Sequence, residues 1–279
     1  MPATIILDSS FLLSLEHFES YCRNAEENPL PLDRTPLQGL SQLTDNGVTL
    51  LMPNAVLREL SLNQERDSLI LGRDESSKQL TLDIATIKQR ESNGRSRFIF
   101  GFIRKQYEAG KIQLFDSVEA FQRASDQGNL KGMLAIVATH TVFEGTGVQT
   151  KQDYLNAGLE HESGWASGDN AIEKIVQQLE PRLPTALASN DRGLIERIAS
   201  LGKPIPQMSN QRYLALLSHL NFFGDVFDNL VLALRGHELD DPNTFRLHMP
   251  NKDARKFAEN FAQKAGLGDN SPSLAGWAR

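Results

Sequence analysis

Four separated carboxylates carry the chemistry open to this chain. Asp8 closes the apolar run Ile5-Ile6-Leu7, and Glu59 follows Leu50-Leu51-Met52-Pro53 by about one helical turn. Asp169 opens Gly168-Asp169-Asn170-Ala171-Ile172-Glu173, and Asp191 closes Leu187-Ala188-Ser189-Asn190-Asp191. Each acid falls where the apolar pattern predicts a strand handing over to a helix. In an open α/β sheet, ligands bind outside the carboxyl ends of the parallel strands, so acids at these positions can converge. Carboxylates forced together repel, and a divalent cation is the simplest compensation. Mg²⁺ and Mn²⁺ are hard ions satisfied by carboxylate and water oxygens. Such an ion can acidify water, align a phosphodiester and stabilise a leaving oxygen, which makes metal-assisted phosphate chemistry the expected reaction class.

Each acid taken singly has a plainer reading. Asp8 and Asp191 suit helix N-caps. Asp169 suits a first helical turn, where the dipole favours negative charge. Glu59 and Glu173 suit solvated helix positions. Glu173 also lies one turn after Asp169 on the same face, so it can join the cluster.

The elements that must position these acids alternate along the chain. Thr4 to Leu7 and Val48 to Met52 read as buried strands, with helices beginning near Phe11 and carrying Val56, Leu57 and Leu60. The pattern returns with a helix from Asp169 to Leu179, a strand from Thr185 to Ala188 and a helix from Leu194 to Leu201. Pro204 to Pro206 reads as a short edge strand, followed by a helix through Tyr213, Leu214, Leu216 and Leu217. This alternation predicts an α/β fold with a parallel sheet flanked by helices. Residues from about 64 to 150 break the rhythm and read as a mainly helical insertion, with Phe98 to Ile103 as a buried helix and Ile112 to Phe115 as a short extra strand. Residues 221–279 read as a C-terminal extension, with a helix from Asp253 to Ala265.

Composition narrows the classes. The chain has 279 residues, 40% hydrophobic and 23% charged, as expected of a globular protein of one large or two small domains. No apolar stretch approaches the length needed to span a bilayer, and no basic leader precedes an apolar segment. Cys22 is the sole cysteine, which excludes an internal disulfide and CxxC zinc sites and makes the cytoplasm the expected compartment. A net charge of −6 leaves no global footprint for nucleic acid. The segment from Lys88 to Lys111 is the exception, with seven basic residues against two acidic ones. Within it Arg95, Arg97, Arg104 and Lys105 are candidate phosphate contacts, with a solvated helix face as the alternative. Glu144 to Lys151 lacks the Gly-Lys-Ser/Thr ending of a phosphate loop, and His161 stands outside any His-Glu-x-x-His spacing. No Gly-x-Ser-x-Gly elbow occurs.

At the four acids the chain resembles the PIN-domain nucleases. Ile-Ile-Leu-Asp8-Ser9-Ser10-Phe-Leu-Leu is similar to the family's first motif, and Met52-Pro53-Asn54-Ala55-Val56-Leu57-Arg58-Glu59-Leu60 to its second. Gly168-Asp169-Asn170-Ala171-Ile172 resembles the third, and Ala188-Ser189-Asn190-Asp191-Arg192-Gly193-Leu194 the fourth. The likeness covers about 1 to 63 and 164 to 220, placing a PIN-like domain in residues 1–220 with an unusually long spacing between the second and third motifs. It implies a Mg²⁺- or Mn²⁺-dependent ribonuclease. Asp8 and Asp191 would ligate the metal directly, Asp169 directly or through water, and Glu59 would orient water or complete a second site. Ser10 and Ser189 would hydrogen-bond the carboxylates. RNA is the implied substrate. An inhibitory protein partner, a flap-type DNA nuclease and a non-enzymatic PIN-like binding scaffold remain open alternatives.

Overall fold

A computed structural model describes residues 3–24, 30–61, 70–74, 76–93, 95–139, 168–179, 184–203, 205–226, 228–232 and 250–267. The residues around Glu144–Lys151, His161 and Asp240, and residues 268–279, lie outside the described residues.

The first strand, β1 (Thr4–Leu7), is buried along its whole length, as β-branched and apolar residues require of a central parallel strand. It runs into α1 (Ser9–Asn24), whose Phe11, Leu12, Leu15, Phe18 and Cys22 recur at helical spacing and face the core. Then come α2 (Gly39–Asp45), β2 (Thr49–Pro53) and α3 (Asn54–Ser61). A small antiparallel hairpin, β3 (Leu71–Arg73) and β4 (Leu80–Leu82), precedes α4 (Ile84–Asn93) and α5 (Arg97–Glu108), which pack on one another. Next are β5 (Ile112–Phe115), α6 (Val118–Asp126) and β6 (Leu134–Val137). The described chain continues with α7 (Gly168–Gln178), β7 (Thr185–Ala188), α8 (Arg192–Ser200), β8 (Gln207–Met208), α9 (Asn210–His219) and α10 (Lys252–Ala265).

Six strands form one parallel sheet in the order β5-β6-β2-β1-β7-β8. The predicted α/β sheet flanked by helices is therefore present. From β1 the chain moves to β2 on one side, and it later returns to β7 on the other. Strand order reverses between β1 and β7, so a crevice opens at their carboxyl ends, beside Asp8 and Ser189.

The region expected as a mainly helical insertion is more than that. Its β5 and β6 extend the main sheet, with β6 paired to β2 from Leu50–Leu134 to Pro53–Val137. Leu134-Ala135-Ile136-Val137 is fully buried, and such a continuous apolar run lacks the alternation that marks a half-exposed strand. The closing strand also lies later than expected, at Gln207–Met208. Pro206 has no N–H to donate, but its carbonyl accepts from Leu187 N at 3.0 Å and so begins the edge pairing. In the C-terminal extension, α10 packs against α9 through Ala254, Ala258, Phe261 and Ala262. Among the described residues no helix is long and apolar enough to cross a membrane.

One buried carboxylate ties the helix leaving β1 to the insertion. Glu16 of α1, 7% exposed, accepts hydrogen bonds from the first-turn N–H groups of α5, Phe98 N at 3.0 Å and Ile99 N at 2.9 Å. Those donors have no partner within their own helix. Glu16→Ala is expected to lower stability by about 1–3 kcal/mol in urea denaturation, by stranding two N–H groups beneath α1.

Candidate active site

Backbone pairing builds the site before any side chain contributes. Leu7 of β1 lies opposite Ala188 of β7, and Asp8 N donates to Ala188 O at 3.0 Å. Asp8 and Ser189 are thus the first residues past two neighbouring strand ends. Asp8 is 1% exposed and Ser189 fully buried. Ser189 Oγ donates to Asp8 Oδ2 at 2.8 Å, and Ser10 Oγ donates to the same oxygen. Both protons are committed to Asp8, so each serine oxygen can accept. Ser10 Oγ accepts from Asn190 N at 3.1 Å and Ser189 Oγ from Asp191 N at 3.0 Å. The two serines expected to support the carboxylates therefore lock Asp8 to the β7 loop from both sides. Asp8 Oδ1 is touched at long range by the Ser9 hydroxyl, at 3.5 Å, and the Ser9 N–H also bonds the carboxylate.

Glu59 reaches the site from α3. Its Oε1 accepts from Gly168 N, the first residue of α7, and its carboxylate also accepts from the Ser9 hydroxyl. A methyl group on Gly168 would lie 2.7 Å from Glu59 Oε2 and 2.9 Å from Val56 Cγ2, so glycine is what lets the carboxylate sit here. Asp169, the next residue, carries negative charge into the same space.

The electrostatics of these acids are coupled. Burial pushes the Asp8 carboxyl above its ordinary range, the Ser10 and Ser189 hydroxyls oppose that, and the charge of Asp169 adds to it. Glu59 is likewise raised first by burial, against the hydrogen bonds from Gly168 and Ser9, with Asp8 and Asp169 raising it further. Among the described residues neither Asp8 nor Glu59 has an ion-pair partner.

The other predicted acids are differently engaged. Asp169 Oδ2 is held by Arg197 Nη2 of α8 at 2.6 Å, and the same guanidinium binds Glu173 through Nε. Asp191, expected as a direct metal ligand, is engaged at the start of α8. Its exposed side chain caps α8, with Oδ1 accepting from Leu194 N at 3.1 Å, and the principal charges acting on Asp8 and Glu59 do not include it. The reason is local: an aspartate just before a helix finds an unsatisfied N–H at its own N-terminus. Among the described residues no group of three His, Cys, Asp or Glu side chains stands close enough to hold a metal. The donors here are oxygens, the type a hard cation takes. Asp8 and Glu59 are without an ion pair among the described residues, while Asp169 is engaged by Arg197.

Sequence reading missed Ser9, Arg197 and a part-buried amide pair. Asn190 Nδ2 donates to Asn210 Oδ1 at 2.9 Å, and Asn210 Nδ2 donates to Ser14 at 2.9 Å, tying the β7 loop to α9 and α1. Ser9 had a signal, standing beside Asp8, whereas Arg197 and Asn210 are distant in sequence and carry no motif. Of the basic residues, Arg104 is committed to Glu91 and Glu108, with Nε–Oε2 2.5 Å and Nη1–Oε2 2.7 Å. Arg95, Arg97 and Lys105 are exposed. Comparison of the chain with protein-family models, curated proteins and solved structures finds no match.

A carboxyl whose pKa is raised by folding binds its proton more tightly in the native state. Stability then falls as pH climbs from the ordinary values, 3.8 for Asp8 and 4.5 for Glu59, through the higher folded ones. The penalty is fully present once pH exceeds the folded values. Asp8→Asn keeps an acceptor for the two serines and removes the charge. In EDTA it is expected to raise Tm at pH 7, with the gain vanishing below pH 3.8, where Asp8 is protonated in either state. Thermal melts across pH measure this, and a lower Tm at pH 7 contradicts it.

Proposed function

We propose that the chain is a metal-dependent endoribonuclease, PIN-like in fold, hydrolysing RNA phosphodiester bonds at the carboxyl edge of β1, β2 and β7. The reading is carried by one observation: Asp8 and Glu59 converge, without a basic partner among the described residues, within electrostatic reach of Asp169. Such a charge excess destabilises the fold, so its use is as a cation site.

Asp8, through the oxygen left free by the serines, and Glu59 would hold Mg²⁺ or Mn²⁺, while Asp169, held by Arg197, would add negative charge nearby. When bound, the ion supplies positive charge against the phosphate and acidifies water. Ser10 and Ser189 keep Asp8 in one rotamer, which avoids reorganisation when charge develops. Glu59, anchored by Gly168 N–H, orients the attacking water. Asp191 acts through its backbone: capping α8 and donating its N–H to Ser189, it holds the serine against Asp8.

Cleavage of labelled single-stranded RNA and matched DNA with Mn²⁺, Mg²⁺ or EDTA tests the proposal. RNA cutting is expected only with metal and is expected to disappear in Asp8→Asn and Glu59→Gln. Ser189→Ala should lose roughly 10–100-fold, the usual cost of removing a ligand's supporting hydrogen bond. Asp191→Asn, whose amide caps a helix as well as a carboxylate does, should keep activity within about tenfold of the parent. Cutting of DNA alone would replace the reading with a flap-type nuclease. No cutting of either by folded protein would leave the non-enzymatic scaffold.

A further inference from the structure

The groove between α1 and α5 lies at the far end of α1 from the acids. It encloses about 430 Å³ and is lined by Glu19, Arg23, Arg97, Phe98, Gly101 and Lys105, among others. Its two acids are neutralised by their own arginines. Glu19, fully buried, is paired with Arg23 at 2.7 Å and accepts from Leu37 N at 3.0 Å, while Glu91 is held by Arg104. Glu16, whose field reaches Arg97, is already bonded to two backbone N–H groups.

Arg97 and Lys105 are exposed and are left without a direct ion pair among the described residues, although the charges of Glu16 and Glu91 act on them. The Arg97 guanidinium carbon lies 4.5 Å from the Phe98 ring centroid and that of Arg23 lies 4.3 Å from it. A cation held against an aromatic ring is positioned without using its N–H donors, which stay available to phosphate oxygens. Between the two cations Gly101 presents no side chain, and a methyl there would lie 3.2 Å from Glu91 Oε1.

We infer that this groove holds the phosphodiester backbone of single-stranded RNA at a distance from the cutting site, a conclusion resting on the ribonuclease reading above. Arg97 and Lys105 are eight residues apart, so their backbones stand about 12 Å apart along α5. That separation suits a polyanion better than one small anion. The groove carries cations, as grooves that track a single-stranded backbone do, while the Phe98 ring seats Arg23 and Arg97. From Asp8 to Arg23, α1 covers roughly 20 Å, which a strand of several nucleotides can bridge.

Fluorescence anisotropy with a short labelled single-stranded RNA in EDTA separates binding from cutting. The full chain is compared with Arg97→Gln/Lys105→Gln and with Lys252→Gln, an exposed charge on α10, as control. The double variant is expected to bind on the order of tenfold more weakly at low salt. Its slope of log affinity against log salt should be shallower by about 1.4, for two lost single-strand contacts. The control should match the parent. Unchanged affinity and slope in the double variant overturn the inference, as does displacement of RNA by equimolar inorganic phosphate, which assigns the groove to a small anion. If the parent cuts RNA with Mn²⁺ while the double variant binds like the parent, the groove fails and the nuclease reading stands. If the parent binds RNA through Arg97 and Lys105 yet never cuts it, the groove stands and the nuclease reading fails.

Discussion

Parallel pairing of β1 with β7, from Thr4–Thr185 to Leu7–Ala188, is the constraint on which the site depends. It brings residues nearly two hundred positions apart to adjacent strand ends and puts Ser189 against Asp8. Everything that follows inherits that register. A slip by one residue would turn the side chains of β7 to the other face of the sheet and take Ser189 away from Asp8. The amide chain through Asn190, Asn210 and Ser14 holds the same junction from α9 and α1. The strand end is therefore rigid on three sides, while one oxygen of Asp8 is left lightly engaged.

Rigidity there coexists with electrostatic frustration. A sheet edge built for stability alone would not bury Asp8 and raise Glu59 with no ion-pair partner for either among the described residues. The molecule does place a cation nearby, on Arg197, but it faces Asp169 and Glu173 at the rim. Half-exposed pairs of that kind contribute little net stability, so Asp169 can change partners at low cost. The deeper acids cannot do so among the described residues, and their charge is relieved only by a proton or an added ion.

The frame of the sheet was legible from patterning because central parallel strands are short, apolar and followed by amphipathic helices. β1, β2 and β7 announce themselves this way, as do α7 and α9. β6 did not, since Leu134-Ala135-Ile136-Val137 reads equally as buried helix or strand, and only its pairing with β2 decides. For that reason the stretch once reducible to a helical insertion also widens the main sheet. Among the candidate-site residues, Asp8, Ser10 and Ser189 were legible because they flank strand ends, and Glu59 because it follows β2 on α3, where convergence is a general property of the architecture.

Helix packing brings in Glu59 from α3 and Asp169 from α7, whereas by itself the sequence determined that Asp8 and Asp191 stand just past β1 and β7, at one edge of the sheet. Local chain chemistry governs that, through burial of apolar runs and the turn into a helix. Which of these acids share a field was decided only in three dimensions. Asp191 had a nearer partner in the Leu194 N–H of its own helix, and Asp169 met Arg197 on a neighbouring one. A carboxylate takes the donor that geometry offers first, and that geometry is set by helices packing on a sheet.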